Sequence, residues 1–535
     1  MTSAQNWEKV AEAKRAKLAE HIPTEYRVPV DKLPPESQLD VTCWPGESGW
    51  FSQKELEITN STASQILAKI ASRSWSTEEV TKSFCKRAAA AHQLTNCLTD
   101  VFFDEAIQQA KALDEHIQRT GRTKGPLHGL PISLKDNFNI KGKDSTVGFT
   151  SLVDTPAEYN ATLVDILEEL GAVRYCKTNV PTAMMIAESV NNTFGRTVNP
   201  LNRKLTSGGS SGGESALIAF GGSPLGVGTD IGGSLRIPAA CTGIFTLRPS
   251  AGRFTTQRCR SGLAGQEAVQ SVNGPMARTL EDITMYSKAV IDTKPWLVDP
   301  KMLPIPWREA EAKSKLKIAV LWNDGICRPT PPVQRALRET AEKLKTAGHE
   351  VVDWDPILHR TALEQLGRMF VADGGKSVQA LLQPTDEPFR PEMQMYADAK
   401  ELGVFEMWKL HQERSELQRQ YLEQWRSVEG LDAILAPTTP YSSVPHGHFK
   451  YVGYTGVYNV VDYSAISFPS GVYVDKAKDQ PTADYKPQSD YCQAARDSYD
   501  AELVHGMPVS LQLIAQRLEE EKVLAMTGTV LQAIR

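Results

Sequence analysis

The order of apolar segments predicts an α/β protein with one large central sheet, twisted and mixed but largely parallel, flanked by helices on both faces. Two observations lead there. The first is a repeated helix–turn–strand grammar: residues 162–170 read as a helix stopped by Gly171 and followed by a strand at 172–176. The same order returns as a strand at 316–322, a helix at 333–347 stopped by Gly348, and a strand at 349–354. The second is composition: 535 residues, 41% hydrophobic and 23% charged, with no run of eighteen apolar residues. With no internal repeat or long low-complexity tract, we expect an arm and connector over 1–60 and a single domain over 61–535.

Taken in order, residues 7–20 place Trp7, Val10, Ala11 and Leu18 near one helical face, as in an amphipathic arm packed on the body. The Pro-rich, polar stretch 23–49 reads as a surface connector. From 58 to 118 the pattern is helical, with Ser76-Thr77-Glu78-Glu79 as a capping box before 80–91 and a second helix at 105–117. Turn-forming Gly125 to Pro131 leads into the apolar strand candidate Ile132-Ser133-Leu134, which ends at Lys135. Residues 385–428 form a charged, peripheral helical segment without an apolar patch suited to a membrane. A strand at 431–437, a Tyr- and Gly-rich stretch at 451–462, a strand at 508–514 and a helix at 519–531 complete the chain, with 476–489 as the candidate mobile loop.

Charge and cysteine usage exclude several classes. A net charge of −5 with no basic block argues against nucleic acid as a partner. Eight scattered cysteines without a C-x-x-C pair argue against zinc and against a disulfide framework, and point to reduced thiols in the cytoplasm. The charged N-terminus, without an apolar core, reads as neither a signal peptide nor a membrane span. Whether the chain forms a homodimer is left open.

Glycine and serine are densest between Gly208 and Ala240. Ser234 follows Ile231-Gly232-Gly233, so its hydroxyl stands on a turn whose N–H groups can converge on an anionic oxygen. Gly208-Gly209-Ser210-Ser211-Gly212 also satisfies G-x-S-x-G on Ser210, and shifted by one on Ser211, but the polar, proline-broken 199–204 is not the buried strand a nucleophile elbow follows. No local signature selects one of the ten histidines as a base. Gly226-Val227-Gly228-Thr229-Asp230-Ile231 has isoleucine where a dinucleotide fingerprint needs its third glycine. Ser83 and Lys86 match S-x-x-K inside an amphipathic helix, without its companion motifs. Serine chemistry without an assigned histidine leaves lysine as the substitute base, and a buried Lys135 would be neutral enough to serve. Ser210 and Ser211 offer a proton relay. Asp230 and Arg236 read as a charged pair that fixes the turn, with Thr229 and Ser211 in support.

Together with the upstream GPLHGLPISLKDN, this block resembles the amidase signature family. The segments WEKVAEAKRAKLAEHIP, FCKRAAAAHQLTNCLTDVFF and VNNTFGRTVNP are similar to its fungal acetamidase and general amidase group, which is related to fatty acid amide hydrolases. The resemblance implies a Ser–Ser–Lys triad: Ser234 as nucleophile, Ser210 as a bridge held by a cis peptide, and Lys135 as base. It further implies an oxyanion hole from the N–H groups of Ile231, Gly232, Gly233 and Ser234, and Met184 at the mouth of the site. The implied reaction hydrolyses a small carboxamide through an acyl-enzyme, with no cofactor and no metal. An amidotransferase-type subunit and an esterase are the alternatives on the same scaffold. Ser215 and Leu235 depart from the family's usual glycine and isoleucine, which bears on substrate fit rather than on reaction type.

Overall fold

The structure, a computed structural model, describes residues 6–311, 313–481 and 486–535. Its strands are β1 Leu98–Val101, β2 Pro131–Lys135, β3 Val173–Thr178, β4 Val190–Asn191, β5 Gly195–Arg196, β6 Val198–Asn199, β7 Asn202–Thr206 and β8 Leu225–Asp230. They continue with β9 Phe245–Arg248, β10 Val272–Ala277, β11 Lys317–Val320, β12 Glu350–Asp353, β13 Ala433–Pro437, β14 Ala465–Tyr473 and β15 Pro508–Ile514. Eleven of them form one sheet in the order β1-β3-β2-β8-β10-β9-β14-β15-β13-β11-β12, while β4–β5 and β6–β7 are two small ribbons.

The sheet is mixed, and its parallel pairs lie in two wings. β2 runs parallel to β3 and to β8, and β11 runs parallel to β12 and to β13. These are the segments where helix and strand alternate in the sequence. The pairs through the centre, from β8 through β10, β9, β14 and β15 to β13, are antiparallel, as is β1 with β3. The expected alternation therefore describes the wings, and the antiparallel centre joins them.

Strand residues alternate between two apolar layers. Ile318, Val320 and Leu435 join one core, with the helices Ala63–Ala71, Thr77–Thr95, Leu280–Asp292, Pro331–Thr346 and Glu520–Ile534. Ala319, Leu321 and Ile434 join the other, with His359–Phe370, Val404–Ser427 and Gly453–Val460. Both faces are thus covered, as a sheet apolar on both sides requires.

Several local expectations shift. The arm Trp7–His21 buries Ala11 and Leu18, and also Lys14, whose ammonium lies 2.8 Å from Asp144. Only half of the capping box at 76–79 forms: Ser76 accepts from the Glu79 N–H, whereas Asp114 accepts from the Thr77 and Glu78 N–H groups. The connector is not purely superficial, because Trp44 is buried against Trp50, Phe51 and Phe220. The helix Val404–Ser427 opens with exposed Val404, Phe405 and Trp408, an apolar edge that the charge count over 385–428 concealed. Of the proposed mobile loop, residues 482–485 lie outside the described residues. Among the described residues no helix is long and apolar enough to cross a membrane.

Candidate active site

β2 and β8 are parallel neighbours, with Ser133 beside Gly226 and Leu134 beside Val227, so both end at the same edge of the sheet. The carboxyl ends of parallel strands are where such sheets present functional groups. Lys135 is the last residue of β2, and Thr229 and Asp230 end β8. The glycines of β8 are needed for close approach: a Cβ at Gly226 would overlap the Glu214 carboxyl, and one at Gly228 would come 2.7 Å from Ser211 Oγ. The G-x-G of this strand thus makes room for Ser211 and for Glu214 of the preceding helix, Gly212–Ala219, not for a nucleotide.

Lys135 is fully buried. Its Nζ lies 2.7 Å from Ser210 Oγ, 2.7 Å from Thr229 Oγ1 and 3.5 Å from the Thr229 carbonyl oxygen. Burial lowers its pKa from 10.5 to about 7, against the opposing pull of Asp230 and Glu214. Ser210 follows the cis peptide Gly209–Ser210 and is itself buried. The Ser211 N–H donates to the Ser234 carbonyl at 3.2 Å, which seats the Ser210–Ser211 loop directly against the Ser234 loop. Ser234 Oγ makes no hydrogen bond within the described residues.

The loop after β8 is held from beneath. Asp230 and Arg236 are both fully buried and form a two-point pair, Nε to Oδ2 and Nη2 to Oδ1 at 3.1 Å each. Asp230 also accepts from the Gly233 N–H at 2.8 Å, the Leu235 N–H at 3.2 Å and Asn459 Nδ2 at 2.8 Å. Burial alone would raise its pKa, but the Arg236 charge overrides this and holds it at about 2. Ser211 Oγ and the Thr229 backbone hold each other at 3.3 Å.

One sequence expectation needs correction. The Gly233 N–H is bonded to Asp230 and Gly233 is buried, so it does not face an oxyanion. The half-exposed Ile231, Gly232 and Ser234 carry N–H groups with no partner among the described residues. A cavity of about 290 Å³ lies over these groups, walled by apolar Met184, Ile186, Leu363, Leu366, Phe370 and Phe449. Among the described residues no histidine lines it, and no three His, Cys, Asp or Glu side chains cluster as metal ligands. A strand, β7, does precede the Ser210–Ser211 loop, contrary to the reading of 199–204, but it belongs to a ribbon outside the main sheet.

Sequence reasoning missed four contributors. Glu214 is fully buried against Ser133 and Thr178, and burial raises its carboxyl to about 8. Asn459 and Gln512 complete the shell around Arg236, at 2.7 and 3.3 Å. Thr455 Oγ1 donates to the Gly232 carbonyl at 2.7 Å. Glu214 adjoins the glycine block and was within reach of a closer reading. The others lie more than two hundred residues away in sequence, where no local signal links them to Asp230.

Comparison with known proteins shows the family. The family model described as Amidase matches residues 79–524. An acetamidase of Emericella nidulans is 40% identical over 541 residues, covering 98% of each chain, and an acetamidase of Aspergillus oryzae is 39% identical over 543 residues with the same coverage. Among solved structures, a fatty acid amide hydrolase superposes with a TM-score of 0.94 at 36% identity, covering 98% of this chain and 95% of that one. The family model over residues 79–524 and relatives about 40% identical over almost the whole length lead to one assignment: the chain belongs to the amidase family, enzymes that hydrolyse amide C–N bonds.

Proposed function

We propose that the protein hydrolyses carboxamides of apolar acids, with Ser234 as nucleophile, Ser210 as proton relay and Lys135 as base. The observation that carries this reading is the contact of 2.7 Å between a fully buried Lys135 Nζ and Ser210 Oγ. A neutral amine has two protons and one lone pair. Its two N–H groups have acceptors in Thr229 Oγ1 and the Thr229 carbonyl, so the lone pair is left for the Ser210 hydroxyl proton.

As Ser234 Oγ attacks the amide carbon, its proton passes to Ser210, whose own proton passes to Lys135. The carbonyl oxygen becomes an oxyanion within reach of the Ile231, Gly232 and Ser234 N–H groups. Return of the proton through Ser210 to the nitrogen allows the C–N bond to break, releasing ammonia or an amine. Water, deprotonated along the same path, then cleaves the acyl ester on Ser234 to give the carboxylic acid. The apolar cavity walls beside Ser234 suit the acyl part of a small or moderately sized substrate. Eight free cysteines fit residence in a reducing compartment such as the cytoplasm.

A fluorophosphonate probe followed by peptide mapping tests the assignment. The expected adduct is on Ser234 and disappears in Ser234→Ala. An adduct on Ser210 or Ser211 would transfer the nucleophile to the other loop and support the esterase alternative.

A further inference from the structure

Three N–H groups make an oxyanion hole only if the peptide planes that carry them are fixed. The loop offers little internal stiffness, because Gly232 and Gly233 are adjacent and lack the Cβ atoms that would restrict rotation of the peptide between them. Rotating that one plane reorients the neighbouring planes, and with them the Gly232 and Ser234 N–H groups. Restraint must therefore come from outside the loop.

The plane is gripped at both ends. Its N–H, on Gly233, donates to Asp230 Oδ1 at 2.8 Å, and its carbonyl, on Gly232, accepts from Thr455 Oγ1 at 2.7 Å. The Val452 carbonyl, one turn back in Thr455's own segment, is the more distant acceptor for that hydroxyl at 3.0 Å. Gly233 has φ +133°, a conformation closed to other residues, and a Cβ there would overlap Thr455 Oγ1. Thr455 is buried and does not line the cavity. It sits four residues before Asn459 on the helix Gly453–Val460, so both project from one helical face, Asn459 onto Asp230 and Thr455 onto the loop above it. The Tyr454 carbonyl of this helix accepts from Gln512 of β15, tying it to the sheet.

We propose that Thr455 is a positioning residue for the oxyanion hole, holding the Gly232–Gly233 peptide so that the Gly232 and Ser234 N–H groups face the substrate. The proposal rests on Ser234 being the nucleophile. It goes beyond that reading by assigning transition-state geometry to a hydroxyl that touches neither substrate nor triad.

The test compares Thr455→Val, which keeps the shape and removes the hydroxyl, with Thr455→Ser, which keeps the hydroxyl. Loss of one oxyanion donor costs about 10²- to 10³-fold in kcat, and loosening two of them indirectly should cost about 10- to 100-fold in Thr455→Val. KM for a primary amide should stay within about threefold. Affinity for a trifluoromethyl ketone, which forms a tetrahedral adduct, and the rate of fluorophosphonate labelling should fall in parallel with kcat. Thr455→Ser should recover most of all three. Unchanged kcat and ketone affinity in Thr455→Val would overturn the proposal, and so would a change confined to KM or a loss that serine does not rescue. If Thr455→Val does not fold, Thr455→Ala against Thr455→Ser carries the same comparison, and equal losses in the two would assign the residue to packing. Labelling of the wild type on a serine other than Ser234 would instead refute the catalytic assignment, so the two failures are distinguishable.

Discussion

The state of Lys135 is open to direct measurement. The fall of its pKa from 10.5 to about 7 means that burial disfavours the protonated amine by about 5 kcal/mol relative to water. Activity that requires the neutral amine should therefore decline below a midpoint near 7, about tenfold for each further pH unit, in a profile of kcat/KM against pH. The same shift has a stability consequence of defined sign. Between pH 7 and 10.5 the unfolded chain holds a proton that the folded chain has released, so stability rises with pH across that window and is lowest below the folded value. Replacing Lys135 by Met removes the titrating group and lowers kcat/KM by about 10²- to 10⁴-fold. It also removes the pH slope, so between pH 7 and 9 the wild type should gain about 2 kcal/mol over Lys135→Met in urea unfolding. Loss of partners for Ser210 and Thr229 offsets both ends equally and cancels. A wild-type profile flat from pH 8 to 5.5, or identical pH slopes in the two proteins, would refute a neutral buried amine.

Further outcomes follow from the same contacts. Asp230→Asn leaves Arg236 buried without its charge partner and should cost about 3–5 kcal/mol in urea unfolding, with a large part restored in Asp230→Asn/Arg236→Met; a loss below 1 kcal/mol would contradict the pair's role. Gly233→Ala demands a Cβ at φ +133° where Thr455 Oγ1 already stands, so kcat should drop by about 100-fold or more while substrate still binds, and full activity would be incompatible with this loop geometry. Phe370 packs beside Gly232, 3.2 Å from where a Cβ there would lie; Phe370→Ala should raise kcat/KM for bulky acyl amides relative to acetamide by about tenfold, and an unchanged ratio would place the acyl group elsewhere. Lys177→Met should destabilise the fold but leave the acid limb near pH 7 where it was.

The sheet wings and the two serine loops were legible because their signals are local. Apolar runs punctuated by Gly171 and Gly348 mark strand–helix–strand units within a few dozen residues, and the glycine clusters around Ser210 and Ser234 mark turns directly. The antiparallel centre was not legible, because β9, β10, β14 and β15 pair across separations of up to about two hundred residues without an intervening pattern to fix direction. The N–H groups of the Ser234 loop show the same limit. Four successive N–H groups on a glycine turn look equivalent in sequence, and Gly233 is removed only because Asp230, three residues earlier, folds beneath it and accepts a hydrogen bond from its N–H. The apolar edge at Val404, Phe405 and Trp408 was hidden for a different reason, since charges dispersed along a helix of 24 residues mask three apolar residues gathered at one end.

Two lysines show why burial alone does not choose the proposed base. Lys135 ends β2 and Lys177 lies on the adjoining β3; both are fully buried, and burial lowers the pKa of both. Lys177 faces carboxylates: Asp136 at 3.9 Å, with Asp100 and Asp144 adding their field, while its Nζ donates to Ser145 Oγ at 2.7 Å and to the Asp144 carbonyl. The acids near Lys135 are otherwise engaged. Asp230 is matched to Arg236, and the Glu214 carboxyl, which burial pushes up to about 8, accepts from the Ser133 and Thr178 hydroxyls. A proton on Lys177 is therefore balanced locally, whereas one on Lys135 is left to two hydroxyls and a carbonyl. Nothing in SLKD or YCKT distinguishes the two cases. The difference arises only when Arg236, six residues past Asp230, turns back to pair with that carboxylate.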